Sequence, residues 1–361
     1  MTPAQALNLI NRRIRELAAY HLEREDTEVK LNQNENPFDW PADIKNAAAD
    51  FCRQRPWNRY PPFIPEELKE MLGAYAGLGG SNVMVGNGSN EMLLVLLLSL
   101  VDRGGKVILC QPTFTVYRLL TRGLGGEEVT VSARSDLSID AGAITEAAKA
   151  NPRSLLILTS PNNPTGSSLS EAEIRSVLDV HSGFCILDQA YVEFGGYSAV
   201  PLIGSYPNLI ITRTFSKAFA GAGLRLGYML GSPEIIMELS KIKLPYNINF
   251  FSDYVARLLL SQRPLINEQV RGIIAERDLL YAALRKLPFD ACYPSAANFV
   301  LVRCGKKQEL FDHLKRDGIL VRDVSTYPQL ENCLRISVGS PEENTRLIAS
   351  AGRFFGNGGK R

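Results

Sequence analysis

VMVGNGSNEMLLVLLLSLVDRGGKVILC, residues 83–110, sets the pattern that the rest of the chain repeats. VMVG and KVILC are apolar runs of strand length, and between them a helical pattern starts at about Ser89. The polar turn Asn87-Gly88-Ser89-Asn90-Glu91 joins the first strand to that helix, with Ser89 as the expected N-cap. The apolar run Met92 to Val101 is interrupted by Ser99. It is about half the roughly 20 residues a bilayer span requires, so no membrane partner is expected.

Working outward, a helix is predicted from about Thr113, and EEVTV, LLILT, FCILD, LIITRT and RLGYML continue the strands. Continuous apolar strands separated by helices predict a mostly parallel sheet covered on both faces. Beyond Pro264 the pattern changes to a long charged helix over about 265–287, strand-like NFVLVRC, helix KKQELFDHLKRDG, strand LRISV and helix EENTRLIASAGRFF. The expected fold class is α/β: a large domain with a mostly parallel sheet sandwiched by helices, plus a smaller α+β domain. Residues 1–45 form an N-terminal helix and arm, 46–255 the large domain and 256–361 the small one. Leu7, Ile10, Ile14 and Leu17 lie at helical spacing and predict one surface helix, whereas KLNQNENPFDWP favours turns and extended backbone over regular structure.

Composition narrows the function. Of 361 residues 45% are hydrophobic and 22% charged, and 40 Lys+Arg against 38 Asp+Glu give a net charge of +2 with no long run of either sign. That distribution lacks the footprint of a nucleic-acid binder. Six cysteines without a Cys-x-x-Cys pair and three scattered histidines support neither a metal site nor a disulfide framework. A cytoplasmic protein is expected.

Open parallel sheets bind ligands beyond the carboxyl ends of their strands. After VMVG the glycine-containing turn offers backbone N–H groups and a helix dipole to a phosphate, although an ordinary N-cap would look the same. After LLILT comes Ser160-Pro161-Asn162-Asn163-Pro164-Thr165-Gly166, a rigid loop. FCILD ends in Asp188, a carboxylate that needs a partner if buried, with Tyr191 three residues on. LIITRT runs into Phe215-Ser216-Lys217, where the lysine is either solvated and inert or a desolvated amine suited to attack an aldehyde. Gly221-x-Gly223-x-x-x-Gly227 is a poor match to a dinucleotide fingerprint. Together these features supply what pyridoxal 5′-phosphate requires: a phosphate site, a lysine and an acid for the ring nitrogen.

Asn163-Pro-Thr-Gly, Asp188-x-x-Tyr191 and Ser216-Lys217 followed by Gly223-Leu-Arg225-Leu-Gly227 resemble the fold-type-I pyridoxal-phosphate aminotransferases. KLNQNENP, NRYPP, GNGSNE, RTFSKAF and VRDVSTYPQLENCLRISVGSPEEN are similar to the histidinol-phosphate aminotransferase family within that group, from about Tyr20 to Asn344. The resemblance implies that Lys217 binds the cofactor covalently and then moves the substrate proton. It implies that Asp188 keeps the pyridine nitrogen protonated and that Asn163 and Tyr191 bond the 3-oxygen. Ser216, Arg225 and the N–H groups of Gly88, Ser89 and Asn90 would hold the phosphate, and Phe114 would stack on the ring. Tyr60 would reach the phosphate of the opposite subunit, which implies a homodimer, with the arm packing on the small domain and the dimer partner. Arg335, assisted by Arg322, would bind the anionic tail of histidinol phosphate or of glutamate and 2-oxoglutarate. Tyr20 and Asn34 would line the substrate end.

The chain departs from the family pattern at Ala19-Tyr20-His21-Leu22, at Asn90 where Asp is common, and at Phe219-Ala220-Gly221-Ala222-Gly223; none of these removes a catalytic group. The implied reaction exchanges an amino group between histidinol phosphate and 2-oxoglutarate in histidine synthesis. Two enzymatic alternatives are aromatic amino-acid transamination and threonine-phosphate decarboxylation. A non-catalytic cofactor-binding module is the third, and the intact Lys217 speaks against it.

Overall fold

The computed structural model of the protein describes residues 1–18 and 27–357. Its strands are β1 (Val29–Leu31), β2 (Val83–Gly86), β3 (Lys106–Gln111), β4 (Glu127–Ser132), β5 (Leu155–Thr159), β6 (Cys185–Asp188), β7 (Leu209–Thr214), β8 (Gly227–Leu230), β9 (Ala291–Tyr293), β10 (Phe299–Arg303), β11 (Ile319–Asp323) and β12 (Cys333–Ser337). Seven of them form the large sheet in the order β2-β8-β7-β6-β5-β3-β4. Pairing is parallel from β4 through β7, and β8 runs antiparallel to both its neighbours.

Side-chain alternation explains why this sheet lies between two helical layers. Leu156, Leu158, Leu187 and Ile211 enter one apolar cluster, while Leu155, Ile157, Ile186 and Ile210 enter another. Successive residues of a strand point to opposite faces, so a continuous apolar run requires cover on both. Each such side chain contributes roughly 1.5 to 3 kcal/mol when fully buried. Because β5, β6 and β7 are parallel and in register, Thr159 lies beside Asp188 and Asp188 beside Thr212. The polar ends of three core strands thus form one row at the carboxyl edge of the sheet.

The small sheet has the order β1-β11-β12-β10-β9. Its first strand corrects the irregular arm expected from KLNQNENP: Val29 and Leu31 are buried while Lys30 is exposed, and Val29 to Leu31 pair in parallel with Ile319 to Val321. The single N-terminal helix is likewise replaced by two short ones, Pro3–Leu7 and Arg12–Arg15. Asn8 caps the first, and the Asn11 side chain accepts the Arg13 N–H to start the second. Asparagine side chains compete with the helix ladder in this way. Positions 45 and 255 fall inside the helices Ala42–Gln54 and Phe250–Ser261. Helices Arg263–Leu284, Lys307–Arg316 and Pro341–Asn357 belong to the C-terminal portion.

Candidate active site

A cavity of about 550 Å³ opens where the carboxyl edge of the large sheet faces the small sheet. Twelve of the expected residues line it. Ser89, Asn90, Phe114, Asn163, Asp188, Tyr191, Ser216, Lys217 and Arg225 line it from the large-sheet side, Arg322 and Arg335 from the small sheet, and Asn34 from the arm. Gly88 lies behind Arg225 instead of on the wall, and Tyr60 is 78% exposed and stacks on Tyr246 at 4.5 Å, away from the cavity. Tyr20 lies outside the described residues.

Lys217 follows β7 through a tight polar step in which Thr214 Oγ1 accepts the Ser216 N–H at 3.1 Å. Phe215 and Phe219, both fully buried, anchor the loop on either side of it. The Lys217 amine donates to the Gln33 carbonyl at 2.9 Å and sits 5.8 Å from the centre of the Tyr191 ring. Burial, with the neighbouring Arg335 cation adding to it, lowers its pKa to about 7. The amine is therefore available in its neutral, nucleophilic form near neutral pH.

Asp188 ends β6 with both carboxylate oxygens engaged. Oδ1 accepts the Ala190 N–H at 3.0 Å, and Oδ2 accepts the Tyr117 hydroxyl at 2.7 Å. Burial raises its pKa, and the hydrogen bonds from Tyr117 and Ala190 oppose the rise. Burial also raises the Tyr191 phenol, while Arg335 and the bond from Asn34 oppose the rise.

Arg322 and Arg335 stand directly opposite each other across β11 and β12. Like charges in register are unfavourable unless an anion lies between or beside them. Arg335 Nη1 donates to Asn163 Oδ1 at 2.5 Å and Nη2 to the Asn32 carbonyl at 2.8 Å, and its guanidinium lies 5.3 Å from the Phe299 ring centre. The arm is fixed here as well. Asn34, at φ 54°, donates its N–H to Ser337 Oγ at 2.8 Å and its side-chain amide to the Tyr191 hydroxyl at 3.1 Å.

The start of helix Ser89–Leu100 forms a second anion site. Gly88, not Ser89, is the N-cap, and it adds no side-chain cap. Its φ of 83° suits glycine, and a Cβ there would lie 2.8 Å from Arg225 Nη2. A Cβ on Gly227 would lie 2.2 Å from the Ser89 nitrogen. Neither position has room for a Cβ, so β8 and Arg225 pack directly against the helix start, next to first-turn N–H groups that have no partner within the helix. Arg225 Nη1 reaches the Ala222 carbonyl at 3.0 Å and Ser216 Oγ at 3.5 Å. The donor set suits a dianionic phosphate.

Sequence reading missed Asn32, Gln33, Glu35, Tyr117, Thr159, Thr214 and Tyr327 on the cavity wall. Thr159 and Thr214 were visible as strand ends; the phenol of Tyr117 depends on a strand 71 residues away and left no local signal.

A buried lysine amine, a buried carboxylate one strand away and a glycine-lined anion cradle, all on a doubly covered parallel sheet, define a transferase of the fold-type-I architecture. The chain belongs to the aminotransferase class I and II family, whose profile matches residues 26–350. It is 40% identical to histidinol-phosphate aminotransferase of Chlorobaculum tepidum over 94% of this chain and 98% of that one. The corresponding Chlorobaculum parvum protein is 38% identical over 94% of this chain and 96% of its own. Among solved structures, histidinol-phosphate aminotransferase of Sinorhizobium meliloti in complex with pyridoxal 5′-phosphate superposes with a TM-score of 0.87 at 26% identity, covering 97% of this chain and 98% of that one. Among the described residues no helix is long and apolar enough to cross a membrane.

Proposed function

We propose that this aminotransferase carries pyridoxal 5′-phosphate and exchanges the amino group between L-histidinol phosphate and 2-oxoglutarate, in histidine biosynthesis. The observation that carries the reading is one cavity with Lys217 and Asp188 on the large-sheet side and the Arg322–Arg335 pair opposite. The names of the relatives supply the substrate.

When bound, the cofactor supplies an aldehyde that takes up an amine and a ring that accepts the electron pair left at the substrate Cα. The residues do the rest. The neutral Lys217 amine is the group that would hold the aldehyde, with loss of water, and, once the substrate amine takes its place, it would serve as the base that carries the Cα proton. Asp188, hydrogen-bonded through both oxygens, would face the ring nitrogen and keep a proton there. Tyr191, whose oxygen already accepts a bond from Asn34, keeps its own proton to donate to the 3-oxygen, and the Asn163 amide donates beside it. Arg225, Ser216 and the N–H groups after Gly88 would hold the phosphate, and Phe114 would pack against the ring. Arg335, with Arg322, receives either a carboxylate or a phosphate, which lets two unlike amino donors share one pocket.

A homodimer is part of this proposal. Trp57, Tyr60, Phe63 and Tyr246 are exposed, and Tyr60 and Phe63 pack on Tyr246 as one aromatic patch suited to a second copy. Tyr60 would then reach the phosphate of that copy. All six cysteines are free thiols, as a reducing cytoplasm would keep them.

The test is the visible spectrum of the cofactor-loaded protein during addition of L-histidinol phosphate alone. Loss of the cofactor band, restored by 2-oxoglutarate, supports both half-reactions; conversion by L-phenylalanine or threonine phosphate but not by histidinol phosphate rejects the substrate. Lys217→Ala is expected to retain cofactor affinity without the covalent absorption band and without turnover.

A further inference from the structure

We propose that Tyr117 is a positioning residue that keeps the Asp188 carboxylate aimed and ionised, so that the shared proton stays on the cofactor's ring nitrogen. The proposal rests on the cofactor reading above and concerns a residue outside the set that the sequence pointed to.

Tyr117 lies one helical turn beyond Phe114 in helix Thr115–Leu124, is 1% exposed, and meets the Phe114 ring edge-on at 5.6 Å and 86°. Its hydroxyl is held on two sides, donating to Asp188 Oδ2 at 2.7 Å and accepting from Thr159 Oγ1 at 2.9 Å. The direction follows from chemistry. An ionised carboxylate only accepts, so the phenol must donate to it, and the Thr159 hydroxyl must then donate to the phenol. Thr159 to Tyr117 to Asp188 is therefore a one-way relay with every proton aimed at the carboxylate, and each bond polarises the next.

The other groups facing Asp188 do not substitute for it. Ala190 occupies Oδ1 through its N–H, Thr212 approaches from the neighbouring strand, and the one further titratable neighbour acting on these groups is the Tyr191 phenol. Each carboxylate oxygen has two lone pairs, so after these bonds the group still has capacity for a ring N–H. Replacing the phenol by phenylalanine preserves volume but removes the O–H. The carboxylate then becomes more basic and draws the shared proton away from the ring nitrogen, which weakens the ring as an electron acceptor.

The experiment compares native protein, Tyr117→Phe and Thr159→Val, each loaded with pyridoxal 5′-phosphate carrying ¹⁵N in the ring. Tyr117→Phe is expected to move the ring ¹⁵N resonance toward the unprotonated position and to weaken cofactor binding about 10-fold, the scale of one hydrogen bond to a charged group. Thr159→Val is expected to move the resonance the same way by less. A native resonance and native cofactor affinity in Tyr117→Phe overturn the proposal whatever happens to its melting temperature. Should that variant fail to fold, Thr159→Val decides alone: a shifted resonance supports the relay and an unshifted one rejects it. Failure of the native protein to take up the cofactor would instead reject the underlying reading, and the relay with it.

Discussion

The amine of Lys217 gives the sharpest quantitative test. Its pKa is lowered from 10.5 to about 7, first by burial and second by Arg335. At pH 7 roughly half of it is neutral, against about 1 in 3000 for an ordinary lysine amine. The displacement corresponds to about 5 kcal/mol against the charged form. The assay is competitive acylation of the cofactor-free protein, with the Lys217 peptide quantified by mass spectrometry against a free lysine peptide. Between about pH 6 and pH 8 the reference rate rises about 100-fold, while Lys217 should rise about 10-fold and level off. Arg335→Met removes a cation that lowers the pKa, so the plateau should move to higher pH while burial keeps it below the reference. The same shift has a stability consequence of definite sign. From about pH 10.5 down to about 7 the unfolded chain binds a proton that folded Lys217 has released, so folding stability falls as pH falls through that window. A labelling rate that climbs in step with the reference up to about pH 9 would refute the desolvated amine.

Three further outcomes follow from the geometry. Arg335→Ala should reduce kcat/KM for glutamate and for histidinol phosphate alike, by about 2 to 5 kcal/mol of transition-state stabilisation, since in the proposed reaction each donor would present its anion to the same guanidinium; steady-state kinetics showing loss for one donor only would mean the pocket is not shared. Gly227→Ala places a methyl group 2.2 Å from the Ser89 nitrogen and should weaken cofactor binding by about 10-fold or more, measured by fluorescence titration, whereas Gly272→Ala, in helix Arg263–Leu284 and off the cavity wall, meets open space and should bind as the native protein does. Arg213→Met removes buried bonds to Gln189 Oε1 at 3.0 Å and Ser198 Oγ at 2.8 Å and should cost about 3 kcal/mol in urea unfolding, with the loop between Asp188 and Ser198 loosened.

Most strands of the large sheet were legible because they are apolar along their length and followed by a polar turn; β4, EEVTVS, was legible from its β-branched residues instead. Lys217, Asp188 and Arg225 were legible for the same reason, since each sits just beyond or just before such a strand. Other features depend on partners distant in sequence. The split at Asn8 to Asn11 turns on two asparagine caps that compete with an otherwise good helical spacing. Strand β1 is three residues long and exists through pairing with Ile319 to Val321. Tyr117 reads as one more core aromatic in PTFTVY until β6 brings Asp188 to its hydroxyl. Arg335 and Arg322 were legible only through the family resemblance, because their facing positions depend on the β11–β12 register and on the approach of the two sheets around one cavity.

The pairing of β1 with β11 also imposes an order of events during synthesis. Val29 and Ile319 are roughly 290 residues apart, so the arm leaves the ribosome long before its partner strand exists. The strands of the large sheet, residues 83–230, all emerge in that interval. Asn34, whose amide bonds Tyr191 and whose N–H bonds Ser337, reaches its place after β12 has emerged. The strands that carry Lys217 and Asp188 therefore leave the ribosome before those that carry Arg322 and Arg335, and the cavity cannot be complete until β12 has emerged.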